Sequence, residues 1–278
     1  MQSRSQCWTP RVAFFLASAF ALSSSAASVA AIQTEAGSEK FEIADTQPGN
    51  YLSALIAGAD RDTPAAEVYY REALRADPRN ADLLERAFAA ALSNGDESSA
   101  NSLGERLLTR DPNNNLARLA IAVYDIEQGQ FASARAHLSS ADALRARDVT
   151  AALLTAWSYA GQSDLHRALD TLDRIHDQSV LAFRDYHAGL IAGLLGNSAE
   201  AQRRLKSAYD DDRNSLRFAD AYARALAAGG DLAGATKVYE GFSAVIPHHP
   251  LIEQALADLR AMYGCPRSRK VFLNGLVA

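Results

Sequence analysis

Residues 229–239 read GGDLAGATKVY, two adjacent glycines ahead of a short apolar run. Such a turn can cradle a phosphate, but the stretch is not GxxxxGK followed by Ser or Thr, and no strand-like segment precedes it. Its meaning comes from where else it recurs. Gly95 (NGDESSA), Gly129 (QGQFASA), Gly196 (LGNSAEA), Gly230 and Gly264 are spaced 34, 67, 34 and 34 residues apart. Ala66, Ala100, Ala134, Ala168, Ala201 and Ala235 follow at 34, 34, 34, 33 and 34. Pro78 and Pro112 are 34 apart, and Pro247 follows 135 later, three periods and a repeated length of 33. Three ladders share one period and one deletion, so the chain is an internal repeat.

A 34-residue unit with Gly at an internal turn, Ala five residues later and Pro after a second helix resembles the tetratricopeptide repeat (TPR), and YYREALRADP (69–78) matches the end of such a unit. The resemblance implies an all-α fold, a right-handed superhelical solenoid of antiparallel helix pairs. Units then begin near residues 47, 81, 115, 149, 182 and 216, with a seventh opening at 250 and about six and a half repeats over 47–264. The small residue of the first helix falls on Ala54, Ala122, Ala156, Gly189, Ala223 and Ala257, and the bulky residue of the second on Tyr70, Leu138, Leu172, Leu205 and Tyr239. Unit two departs from this, with Phe88 at the small position and Gly104 at the bulky one. Unit four places Gly161 two residues early and Ser163 at the turn. Small side chains let paired helices approach, glycine accepts a left-handed turn, and Asn or Asp after a Pro caps the next helix.

The composition agrees with helix: alanine abounds, and there are only 8 prolines in 278 residues. The N-terminus stands apart. Arg4 and Arg11 flank the start of VAFFLASAFAL, and SSSAASVAA supplies small residues for cleavage after Ala30 or Ala31. We read 1–30 as a cleaved signal peptide and place the protein in the periplasm; the competing reading is an uncleaved membrane anchor. Cleavage removes two arginines and no acid, moving the net charge from −5 to −7, and leaves Cys265 as the one thiol. An exported chain with one cysteine has no internal disulfide to stabilise it. The acidic balance gives no footprint for nucleic acid. Residues 31–46 read as a flexible acidic lead-in. The end, CPRSRKVFLNGLVA (265–278), suits neither a second amphipathic helix nor a polar cap. Either the tail is truncated or frame-shifted, or VFLNGL folds back over the last helix.

No catalytic constellation emerges. His137, His166, His176, His187, His248 and His249 form no HExxH and no zinc spacing with Cys. His248 and His249 sit at an inter-repeat turn. GxSxG is absent, and DDDR (210–213) lacks the glycine and distal glutamate of a calcium loop, so it reads as a solvated turn. We therefore expect no enzyme, no metal, no cofactor and no small-molecule substrate.

Function is then expected from the surface. In the family that the chain resembles, the first helices line a concave face that holds a partner peptide or protein. By register that face presents Tyr51 and Leu55, then Glu85 and Arg86, Leu119 and Glu127, Trp157, Tyr186 and His187, and Arg217, Asp220 and Arg224. Aromatic and Arg side chains dominate interface hot spots, which favours Arg86, Trp157, Tyr186 and Arg224, although Trp157 serves equally well as inter-helix packing. The charge is mixed, so a uniformly basic groove for carboxylates is not expected. The resulting expectation is a periplasmic interaction scaffold. The alternatives are an accessory subunit of polysaccharide or outer-membrane export, associated peripherally with a membrane complex, and the repeat arm of a longer enzyme.

Overall fold

A computed structural model describes residues 43–44, 46–139 and 149–264. The expected signal peptide, nearly all of the lead-in and the C-terminal tail lie outside them. Helices follow in the order α1 Gln47–Ala59, α2 Thr63–Ala76, α3 Ala81–Asn94, α4 Glu97–Arg110, α5 Asn115–Glu127, α6 Phe131–Leu138 and α7 Val149–Gly161. Then come α8 Leu165–Asp173, a 3-10 turn at Gln178–Val180, α9 Leu181–Leu194, α10 Ser198–Asp211, α11 Leu216–Gly229, α12 Leu232–Val245 and α13 Pro250–Gly264. No strand occurs among the described residues. Every helix packs on its chain neighbours, and α5, α7, α9 and α11 also touch in succession, so odd-numbered first helices form one wall and even-numbered second helices the other. The architecture is an all-α repeat solenoid of antiparallel helix pairs.

The turn inside each unit explains the glycine ladder. Gly95, Gly129, Gly196 and Gly230 all have positive φ, from 71° to 96°. The two ladder positions without glycine obey the same geometry: Arg61 has φ 62° and Ser163 φ 60°. The left-handed residue thus recurs even where its preferred side chain does not. Gly161 serves a different end, because a Cβ there would run into the Phe131 ring. One residue beyond five of the six turns stands a cap: Asp62, Asp96, Asp164, Asn197 and Asp231 each accept a bond from the backbone N–H three residues on, whereas Gln130 makes none. Asn80, Asn114 and Ser215 cap the first helices α3, α5 and α11 in the same way. At the start of α1, Asn50 exchanges two bonds with the Ala44 backbone, at 2.9 and 3.0 Å.

The core is a column of small residues facing large ones. Ala54, Ala122, Ala156 and Ala223 are fully buried, as are Ala66, Ala100, Ala134, Ala168, Ala201 and Ala235 or nearly so. A Cβ on Gly189 would stand 2.5 Å from Leu205 Cγ, so this pair is in direct contact. Unit two reverses the order without losing the fit. Phe88 is buried, and a Cβ on Gly104 would lie 3.2 Å from its ring. Gly104 is therefore the complement of Phe88 rather than a poor substitute for a bulky residue. Ala257, at the small position of α13, is exposed.

The 33-residue spacing falls in the connection between α8 and α9, where the 3-10 turn stands in place of a proline turn. An ion network closes this junction. The buried Arg204 reaches Asp173 at 2.7 Å, Glu200 at 2.8 Å and the buried Asp185 at 3.1 Å. Asp185 also accepts from Arg184 and from the Ser207 hydroxyl, each at 2.8 Å. Satisfied in this way, the charges specify how units four and five meet.

Candidate functional site

Three successive first helices carry an aromatic array. Trp157 lies on α7, Phe183, Tyr186 and His187 on α9, and Phe218 on α11, all half-buried. The Trp157 indole N–H donates to His187 Nδ1 at 3.1 Å, with the rings edge to face at 6.1 Å. Phe183 meets the His187 ring at 4.5 Å, Tyr186 meets it at 5.3 Å, and Tyr186 meets Phe218 at 5.4 Å. An indole nitrogen can only donate, so Nδ1 of His187 is an acceptor and its proton sits on Nε2. Burial, aided by nearby Arg217, lowers the His187 pKa to about 4, so the imidazole is neutral at ordinary pH. Burial also raises the Tyr186 phenol above its usual value. The array is thus an uncharged aromatic surface, and its histidine, with one nitrogen bonded and the other buried, is not arranged as a base.

Charged neighbours on α11 frame it. Arg217 is exposed and makes no ion pair among the described residues. Asp220 accepts from Arg224 Nε and from the Tyr239 hydroxyl, both at 2.8 Å. Tyr239 is fully buried and its phenol is pushed well up, chiefly by that burial. Asp220 therefore ties the face to the core beneath it. The structure brings together Trp157, Tyr186, His187, Arg217, Asp220 and Arg224.

Tyr51, Glu85 and Arg86 form a separate group on α1 and α3. The Arg86 guanidinium stands 5.6 Å from the Tyr51 ring and 2.8 Å from Asp82, whose hydrogen bond raises the Arg86 pKa. Tyr51 rests edge-on against Tyr70 at 6.2 Å. Glu85 is exposed one residue away. Leu119 and Glu127 line a pocket of about 360 Å³ on α5, between these two groups along the chain. Register had not singled out Phe183 and Phe218. Both stand in the opening turn of a first helix, so a scan for apolar residues at helix starts would have found them. Trp157 packs across the α7–α9 interface against His187 and is only half-buried.

The other polar clusters are turns. Asp210 pairs with Lys206 and Arg213, and Asp212 accepts from the Asn214 N–H. His248 has φ 60° and contacts Glu253 at 3.0 Å, while His249 stands edge-on to Phe242. Among the described residues no three His, Cys, Asp or Glu side chains are disposed to hold a metal. Nor is any described helix long and apolar enough to cross a membrane.

No protein-family model and no curated protein matches the sequence. Solved structures do match in fold. PilW, a widely conserved type IV pilus biogenesis factor, superposes with a TM-score of 0.56 at 16% identity over 77% of this chain and 99% of its own. A tetratricopeptide repeat protein from Parabacteroides merdae gives 0.55 at 13% identity over 76% and 83%. YrrB, described as a TPR protein with an unusual peptide-binding site, gives 0.50 at 19% identity over 59% and 86%. The chain has the tetratricopeptide-repeat fold.

Proposed function

We propose that the protein is a periplasmic, non-enzymatic scaffold that holds a partner protein or peptide against the concave face of its first helices, with Trp157, Tyr186, His187 and Arg217 at the centre of contact. The observation that carries this reading is the half-exposed aromatic run from Trp157 to Phe218, continuous over three units and bordered by the exposed Arg217, which makes no ion pair among the described residues. A purely structural array would be expected to close over its rings. This one leaves faces open beside an exposed cation, the composition of interface hot spots. Arg86 on Tyr51 supplies a second point of attachment. Arg224 and Asp220 hold the frame. The peptide-binding site named for YrrB and the pilus biogenesis role named for PilW lend support to protein binding at the cell envelope. An accessory role in an envelope assembly machine is the form of this function that the PilW likeness favours.

The test begins with crosslinking in intact cells to identify the partner. The purified partner is then titrated against the full chain carrying Trp8→Phe, which leaves Trp157 as the one remaining of 2 tryptophans. Binding should shift Trp157 emission, and Arg86→Glu with Arg217→Glu should weaken it at least about tenfold while leaving the melting curve in place. Full-affinity binding by that variant, with no change in Trp157 emission, would refute the reading.

A further inference from the structure

The pocket on α5 has lining chemistry unlike the aromatic array. Its walls are aliphatic, with Leu119, Val123 and Leu154 among them, and its volume is about 360 Å³. Its polar lining comprises the Glu97 and Glu127 carboxyl groups, the Asn101 amide and the Tyr124 and Thr150 hydroxyls. Glu97 opens α4, Glu127 ends α5, and Asn101 stands one turn along α4 from Glu97. Neither glutamate has a cationic partner among the described residues, and the buried Asn101 Oδ1 has no donor. Glu97 and Glu127 interact: the Glu127 carboxyl, although the residue is exposed, is raised by desolvation first and by Glu97, through charge and a hydrogen bond, second. Two acidic groups beside an unsatisfied carbonyl oxygen, above an apolar hollow, form a site with no cation among its lining residues.

We infer that this pocket takes a lysine or arginine side chain of the bound partner, its methylene stem lying against Leu119, Val123 and Leu154 and its charged head between Glu97 and Glu127. A Lys stem buries apolar surface while its ammonium offers three donors, which matches aliphatic walls with acceptors at the rim. A carboxylate ligand would add a third negative charge. A purely apolar side chain would fill the hollow but leave the glutamates opposed. The inference rests on the concave face being the binding face, but its chemistry comes from the lining alone.

The probe is Nα-acetyl-lysine N-methylamide, titrated into the full-length protein and followed by methyl resonances of Leu119, Val123 and Leu154, against the norleucine analogue that lacks the ammonium. The lysine compound should shift these resonances saturably, at least about tenfold more tightly than norleucine, and more weakly as salt is raised. Glu97→Gln with Glu127→Gln should cost at least about tenfold in lysine affinity, whereas Glu240→Gln, exposed on α12, should change nothing. Equal affinity for norleucine, unmoved resonances, or unchanged lysine binding by the double variant would each overturn the inference. The two proposals fail separately. Lysine binding without any effect of Arg86→Glu and Arg217→Glu on the partner would discard the aromatic array and keep the pocket. The opposite result would discard the pocket alone.

Discussion

Exchanging the sizes of Phe88 and Gly104 tests how the helix pairs are held. Phe88→Ala removes a ring that is 1% exposed, and the facing residue has no side chain with which to fill the space. Core Phe→Ala changes cost about 3–5 kcal/mol, and this site belongs at the upper end because it collapses poorly. Gly104→Leu alone inserts a side chain whose Cβ already lies 3.2 Å from Phe88 and 3.3 Å from Ile121. Overpacking of that kind costs about 1–3 kcal/mol, offset by roughly 1 kcal/mol of helix propensity gained on replacing glycine. The double variant Phe88→Ala, Gly104→Leu recreates the small–large order of Ala122 with Leu138 and should be more stable than Phe88→Ala alone, by about 2 kcal/mol or more. At about 2–4 °C per kcal/mol for a chain of this size, Phe88→Ala should lower Tm by roughly 6–20 °C, with about half recovered in the double variant. Circular dichroism melts read the whole array, and amide exchange in α3 and α4 reads unit two alone, which matters because repeat arrays can open in sections. If the double variant loses the sum of the two single losses, the two side chains do not share one space and the swap is not the reason for the pair.

Arg204→Ala should cost about 3–5 kcal/mol by leaving the buried Asp185 short of a partner, seen as a lower urea midpoint and faster exchange at the start of α9; a change below about 1 kcal/mol would show the network to be dispensable. Arg61→Gly and Ser163→Gly should each raise stability by up to about 1 kcal/mol, because a left-handed residue with a side chain is strained, although glycine gives back part of this in the unfolded chain; a fall in Tm for both would contradict the strain argument. The His187 imidazole should titrate near 4 by NMR. Its folded pKa lies below the unfolded value of about 6.5, so its contribution is fully present above pH 6.5 and is lost as pH falls toward 4. An inflection near 6.5 would mean that the ring is not held neutral by burial beside Trp157.

The turns show why the fold was legible. Left-handed residues recur at 61, 95, 129, 163, 196 and 230, and capping side chains follow at 62, 96, 164, 197 and 231, while Gln130 makes no such bond. Four of the six turns use glycine, which made the period visible. Arg61 hid one of the others and Ser163 was placed only by register, because a fixed backbone constrains a side chain without dictating it. Unit two was obscure for a related reason. Packing selects the summed volume at a helix contact, so Phe88 with Gly104 satisfies it as well as Ala with Leu, and single-position templates register only the failure of each. The Arg204 network was invisible because its members lie on α8, α9 and α10 and meet only once the helices stack.

The candidate site was legible by register and obscure by chemistry. Counting along a 34-residue period places Trp157, Tyr186 and Arg217 on one wall, since that wall follows from repeat geometry alone. What each residue does there depends on neighbours from other units. Asp220 looks like an open acid in sequence, yet Tyr239 and Arg224 already occupy it. Glu127 looks like an ordinary surface acid and is exposed, yet desolvation at the edge of a pocket with aliphatic walls, and then Glu97, raise its carboxyl. Two acids that are alike in sequence thus take opposite roles: one is spent on holding the wall and the other has no counter-charge among the described residues. On the proposed reading, the groups with no ion pair among the described residues, Arg217 beside the aromatic array and the Glu97–Glu127 pair of the α4–α5 pocket, would meet a partner segment with an acidic group near the array and a basic side chain toward unit three.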